Sequence, residues 1–283
     1  MVQPLLSAER LNVRYGDNLV VSEASFGIRA GERIAIIGES GSGKTTLAMA
    51  IAGFLDPAQA TVTADRLDFG GADLLRRSCG TMPRRTPGIS MIFQDAMTSL
   101  DPVWTVGQQL IAVQKQVFNV PKKKAQELAC ERLRSIGLRD AERVMRSRPY
   151  ELSGGMRQRV MTAIALASKP SLLIADEPTS ALDASMAGEA MKLMMNMAHE
   201  NGSAVVVISH DLELCRRYAD FVIVMYRGEI VEQIRADQLD EARHPYTRGL
   251  LSCVPTLESA ERDRLPLLED FFTQELPGER VPA

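Results

Sequence analysis

Arg33-Ile34-Ala35-Ile36-Ile37 is a short, β-branched apolar run, and Lys44-Thr45-Thr46-Leu47-Ala48-Met49-Ala50-Ile51-Ala52 is a good helix former. Between them stands Gly38-Glu39-Ser40-Gly41-Ser42-Gly43, so the join fits the pattern Gly-x4-Gly-Lys-Thr. A buried strand turning through a glycine-rich loop into a helix is a narrow structural choice. The apolar run is what a buried parallel strand is expected to look like, and the later apolar runs with helices between them imply a mostly parallel sheet. The glycines let successive N–H groups turn inward, and the helix start adds partial positive charge, which together make a cradle for phosphate oxygens. Lys44 would reach the β- and γ-phosphates of a nucleotide, and the Thr45 hydroxyl would ligate Mg²⁺. The alternative, a Gly/Ser-rich turn before an ordinary helix, is disfavoured by the strand before it and the helix after it.

Two further segments sharpen this. Leu172-Leu173-Ile174-Ala175-Asp176-Glu177 is an apolar strand that ends in two carboxylates, which emerge at its carboxyl end, where ligands gather in open α/β sheets. Asp176 suits an outer Mg²⁺ contact, direct or through water, and Glu177 is placed to orient or deprotonate an attacking water. Leu152-Ser153-Gly154-Gly155-Met156-Arg157-Gln158-Arg159 is a second helix start rich in anion-binding groups. One nucleotide does not need two such sites from one chain.

With these residues in this order, the chain resembles the nucleotide-binding subunits of ABC transporters over about its first 250 residues. The resemblance implies an α/β fold: a P-loop NTPase core with a mostly parallel sheet, an antiparallel β subdomain and an inserted helical subdomain. It places the ATP-binding domain at 1–240, with helical residues at about 97–156, and a C-terminal extension at 241–283. ATP and Mg²⁺ are the implied ligands. Gly38, Ser40, Gly41, Ser42, Gly43, Lys44, Thr45, Thr46 and Asp176 would hold the nucleotide, with Thr45, Gln94 and Asp176 toward the metal. Ser153, Gly154 and Gly155 would bind ATP held by another chain. Tyr15 resembles the aromatic residue that stacks on adenine, and Gln94 the glutamine that senses Mg²⁺ and links core to helical subdomain. Ser180-Ala181-Leu182-Asp183 resembles the loop that crosses the dimer interface, and His210 the histidine that contacts the γ-phosphate. Glu177, His210 and Gln94 are thus the catalytic candidates. Met156 stands where many relatives carry glutamine, outside the phosphate-facing part.

Met97-Thr98-Ser99-Leu100-Asp101-Pro102 and His244-Pro245-Tyr246-Thr247-Arg248-Gly249-Leu250-Leu251 resemble the oligopeptide, dipeptide and nickel importers. The implied partners are integral membrane permeases, a second ATP-binding subunit (a copy or a different chain) and, indirectly, an extracytoplasmic substrate-binding protein. The implied place is the cytoplasmic face of the inner membrane, peripherally bound. Peptide is the first expectation for cargo, and nickel or another chelated metal the alternative. Relatives often run past a Pro-Gly segment into a cysteine-bearing tail, in some cases linked to an iron–sulfur cluster. Here Cys253 is the sole cysteine of the extension, and no cluster is expected.

Composition narrows the rest. A net charge of −3 disfavours nucleic acid as a partner. The start lacks a charged region and long apolar core, and Cys79, Cys130, Cys215 and Cys253 fit neither a zinc site nor a disulfide framework, so a cytosolic chain is expected. Alternation over about residues 5 to 30, as in Leu11–Tyr15 and Ala24–Ile28, predicts half-buried antiparallel strands, and apolar runs at 33–37, 89–93, 171–175, 204–209 and 220–226 predict core strands. Val106–Phe118 and Lys122–Ile136 read as helices. The methionines of a helix at Ser185–Glu200 read as core filler, and His244 as structural. Soluble ATPases of chromosomes or repair carry a long coiled coil, and ribosomal ones two cassettes; neither is seen. A P-loop GTPase would carry Asn-Lys-x-Asp, which is missing.

Overall fold

The computed structural model describes residues 3–76, 86–94, 99–180 and 182–253. Met97, Thr98, Ala181, Cys79 and the tail beyond Cys253 lie outside them. The chain opens as an antiparallel ribbon, β1 (Leu6–Tyr15) and β2 (Asn18–Ile28). Its inward positions run Leu6, Ala8, Leu11 and Val13. The break in that alternation falls at Arg10, whose φ of 47° marks an inserted residue, and Glu23 opposite has φ 46°. The core strand β3 (Arg33–Ile37) then feeds α1 (Lys44–Ala52). β4 (Ala60–Thr63), β5 (Arg66–Phe69) and β6 (Ala72–Asp73) complete the antiparallel sheet, ordered β2-β1-β5-β6 with β4 also on β1.

After β7 (Ile89–Ile92) come the helices α2 (Val106–Phe118), α3 (Lys122–Ser135) and α4 (Ala141–Arg146). Thr105 and Gln108 close a reciprocal cap at the start of α2, and Asn119 ends it in a left-handed turn. Next follow α5 (Gly154–Ala167), β8 (Leu172–Asp176), α6 (Ala184–Glu200) and β9 (Ala204–Ile208). The chain continues through α7 (Leu212–Tyr218), β10 (Phe221–Tyr226), β11 (Glu229–Arg235) and α8 (Pro245–Ser252). The second sheet is ordered β11-β10-β3-β9-β8-β7 and is parallel except for β11. The expected limits of the core strands match the observed ones to within a residue; β11 itself, with its polar sequence Glu229-Ile-Val-Glu-Gln-Ile-Arg235, was not expected.

This second sheet is apolar on both faces, and its period-2 pattern sorts side chains among three cores, one on one face and two on the other. Ile34, Ile36, Leu172, Ile174, Val206 and Ile223 face α1 and the antiparallel sheet. Leu173, Ala175, Val205 and Val207 face α2, α4, α5 and α6. Ala35, Ile37, Val222 and Val224 face α7 and α8, where Tyr246 is wholly buried. Of the methionines of α6, Met191, Met194, Met195 and Met197 are core filler as expected, whereas Met186 is exposed. His244 caps α8, its Nδ1 accepting from Tyr246 N–H at 3.2 Å. No helix of the described residues is long and apolar enough to cross a membrane.

Asp220, at the entry to β10, ties that strand to the entry of β3. Its carboxylate accepts from Arg33 N–H (2.9 Å), Nε (3.1 Å) and Nη2 (2.5 Å). Burial alone would raise the Asp220 pKa; the bonds and charge of Arg33 outweigh it and hold the carboxyl below its ordinary value. Asp220→Asn should therefore cost about 1 kcal/mol of stability, the exposed side of the pair being screened by water. Because the folded pKa is depressed, that contribution is full above about pH 4 and is lost as pH falls below it. Urea unfolding of both proteins from pH 7 to pH 3 checks this; a difference that does not shrink with falling pH rules out the charge as its source.

Candidate active site

The loop after β3 is shaped by backbone that leaves no room for side chains. At Gly38 (φ 148°) a Cβ would overlap the Met225 carbonyl oxygen, and at Gly43 (φ 96°) it would lie 2.8 Å from the Val20 carbonyl oxygen. Both positions therefore require glycine. Gly41 (φ 82°) faces open space and needs glycine for its backbone alone. Lys44 is buried, and its Nζ donates to Gly38 O (2.8 Å), Glu39 O (2.6 Å) and Ser42 Oγ (3.4 Å). Burial lowers its pKa, while the charges of Glu177, Asp176 and Glu39 oppose the shift. Thr45 and Thr46 follow in the first turn of α1, Thr45 exposed. Ser40 and Gly41 are exposed at the crest of the loop.

Asp176 ends β8 and is 3% exposed. Burial raises its pKa, and a hydrogen bond from the Thr45 hydroxyl and the Lys44 charge oppose that rise. It is thus no solvated strand-end carboxylate. Glu177 next to it adopts φ 45°, a conformation that side-chain-bearing residues rarely take. Its N–H donates to Ile208 O at 2.8 Å, and its carbonyl accepts from Ser180 N–H and Oγ–H, which hold the turn. The side chain is thereby aimed at two others. Gln94 Nε2 donates to Glu177 Oε2 at 2.9 Å, and His210 Nδ1 lies 3.6 Å from Oε1. Gln94, Glu177 and His210 come from just past the carboxyl ends of three adjacent strands, β7, β8 and β9. The three catalytic candidates therefore form one cluster, joined to the loop through Asp176 and Thr45.

The other candidates stand apart from that cluster. Ser153 caps α5, its Oγ accepting from Met156 N–H at 3.3 Å. Gly154 faces open space, and the space beside Gly155 is taken by the Met186 methyl. Among the described residues, no hydrogen bond or ion pair joins Ser153, Gly154 or Gly155 to residues 38–46 or to Glu177. Tyr15 is half-buried at the tip of the β1–β2 hairpin, opposite Asn18 and Ala60. Asp183 caps α6, accepting from Met186 N–H (2.9 Å) and the Ser185 hydroxyl (2.7 Å).

Two residues of the site were not singled out for it from sequence. Gln158 is buried, and its Nε2 donates to the Pro178 carbonyl, tying α5 to the turn that follows Glu177. Tyr246, far along the chain, accepts at its hydroxyl from Glu39 N–H in the loop at 2.9 Å. A glutamine on a helix carries no sign of which face it takes, so Gln158 had no signal. Tyr246 lay inside a segment noted for resemblance alone.

Residues 21–180 match the family described as ABC transporter. The oligopeptide transport ATP-binding protein AppD of Bacillus subtilis is 41% identical over 247 residues, covering 87% of this chain and 75% of that protein. The dipeptide transport ATP-binding protein DppD of Escherichia coli is 40% identical over 273 residues, covering 93% and 82%. Among solved structures, cbiO1 of Clostridium perfringens, described as part of the ABC transporter complex cbiONQ, has a TM-score of 0.70 at 28% identity. That likeness covers 88% of this chain and 96% of that one. The matched span runs from β2 through the glycine loop, the Ser153 helix start and the Asp176–Glu177 pair, and the chain belongs to the ABC transporter family.

Proposed function

We propose that this chain binds and hydrolyses ATP to power an importer of peptides, seated peripherally on the cytoplasmic face of the membrane against integral permeases. The observation that carries the reading is the Gln94–Glu177–His210 cluster at the strand ends, linked through Asp176 and Thr45 to the loop that holds Lys44. Peptide is favoured over a chelated metal by the relatives named for oligopeptide and dipeptide transport. A substrate-binding protein would deliver cargo to the permeases.

In this mechanism Lys44 exchanges its loop acceptors for the β- and γ-phosphates, while the loop N–H groups cradle them. Tyr15 stacks on the adenine. Thr45, Asp176 and the Gln94 amide form a hard oxygen set that suits Mg²⁺. When bound, that ion would neutralise charge on the phosphates. Gln94 and the strained backbone hold Glu177 in place to accept a proton from the attacking water, and His210 orients the γ-phosphate. Ser153, Gly154 and Gly155 complete the site of the opposite subunit. The open space at Gly154, and a helix start unengaged by this chain's own loop, support that arrangement. ATP would favour the closed pair because only there does it meet both surfaces.

Glu177→Gln should keep ATP binding and lose about 10³-fold in turnover. Purified with Mg-ATP from gently solubilised membranes, it should carry two multi-span permeases and a second ATP-binding subunit. Ordinary turnover would remove Glu177 from the mechanism, and recovery without permeases would remove the transport role. Gly154→Asp tests the shared site, since a carboxylate there suits the helix itself but repels phosphate across the pair. The isolated variant should bind ATP as the parent does, yet turn over about 10²-fold more slowly in the assembled transporter. Parental turnover in that assembly would place the Ser153 helix start outside the reaction.

A further inference from the structure

The segment from Arg243 to Leu251 is keyed into the protein at each step. Glu232 on β11 accepts from Arg243 N–H at 2.7 Å and from His244 N–H at 3.4 Å, which fixes the approach. The His244 ring caps the helix start and Pro245 opens α8, so Tyr246 enters the core at a set angle. Its side chain is fully buried and packs on Tyr226, with ring centroids 4.2 Å apart. Burial raises its pKa, so the hydroxyl stays a neutral phenol at any physiological pH. At the end of this wedge the oxygen accepts from Glu39 N–H at 2.9 Å.

Glu39 is the second residue of the glycine loop, and its side chain is not what is held: the residue is exposed, and the bond is to its backbone. The carbonyl of the same residue accepts from Lys44 Nζ at 2.6 Å. Only the Glu39 backbone lies between the Tyr246 oxygen and the lysine ammonium. Of the loop's three acceptors for that ammonium, the shortest contact is therefore the one that α8 braces.

We infer that Tyr246 is a positioning residue for the glycine loop: it fixes the backbone at Glu39 and, through it, the Lys44 ammonium, so that α8 sets nucleotide affinity. The inference rests on the nucleotide reading above. Tyr246→Phe keeps the ring and its packing and removes the hydroxyl, so that Glu39 N–H loses its acceptor and the loop is free to reorient.

The test is titration of the purified full-length chain with a fluorescent ATP analogue, beside thermal unfolding and steady-state hydrolysis. Tyr246→Phe should raise the Kd and the KM for ATP by about three- to tenfold. The kcat at saturating ATP should stay within about twofold, and the Tm should fall by no more than about 4 °C. Leu239→Ala serves as the packing control, because Leu239 is buried in the same cluster. It should lower the Tm further while leaving Kd within about twofold. A parental Kd for Tyr246→Phe overturns the inference, as does a Kd that weakens in step with Tm in both variants. Failure of the parent protein to bind the analogue would remove the nucleotide reading itself, and the inference with it.

Discussion

The whole arrangement hangs on a close approach of backbones around Val20. Its carbonyl oxygen lies 2.8 Å from where a side chain would begin at Gly43, and 2.6 Å from where one would begin at Gly228. Gly228 in turn donates its N–H to Ser42 O and accepts from Ser22 N–H. Three segments remote in sequence, β2, the glycine loop and the β10–β11 turn, therefore meet with no side chains between them. This contact docks the antiparallel sheet onto the second sheet. A methyl group at either glycine would have to move a sheet to be accommodated, since the obstacle is main chain and cannot change rotamer.

Around that contact the charges are arranged for work at some cost in stability. Lys44 and Asp176 are both buried, and burial shifts each toward its neutral form. What keeps them compatible is mutual compensation: carboxylates near the lysine, the Thr45 hydroxyl and the lysine near the aspartate. Glu177 adds a backbone conformation that is strained for any residue with a side chain. Such strain persists where neighbours over-determine it, and here the Ile208 carbonyl, the Ser180 turn and the Gln94 amide do so.

The fold was legible where pattern and position agree. The parallel strands showed as unbroken apolar runs because both faces are buried, and the glycine loop, the Asp176–Glu177 pair and the Ser153 helix start could be read from residue type and order. Less legible were features that depend on tertiary context. β11 has a polar sequence because none of its residues is fully buried, unlike most of those of its partner β10. Met186 carries the same residue type as Met191 and Met194 but faces outward over Gly155. The inserted residue at Arg10 interrupts an alternation that its neighbours on both sides obey. Gln158 and Tyr246 reach main-chain partners 20 and 207 residues away, and no local pattern marks a partner at that range.

Topology also governs when this protein can form. The strand that carries the glycine loop, β3, is made early, yet both of its neighbours in the sheet, β9 and β10, come from the last third of the chain. The bonds between Arg33 and Asp220 span 187 residues. At about 5–20 residues per second of synthesis, β3 waits on the order of 10–40 s for its partners to emerge from the ribosome. During that interval its apolar edges are unpaired, and the loop has neither Met225 nor Gly228 to shape it. Nascent chains are therefore unable to give the glycine loop its final shape until residue 228 has been made, and the hazard of mispairing is greatest before residue 226 is made.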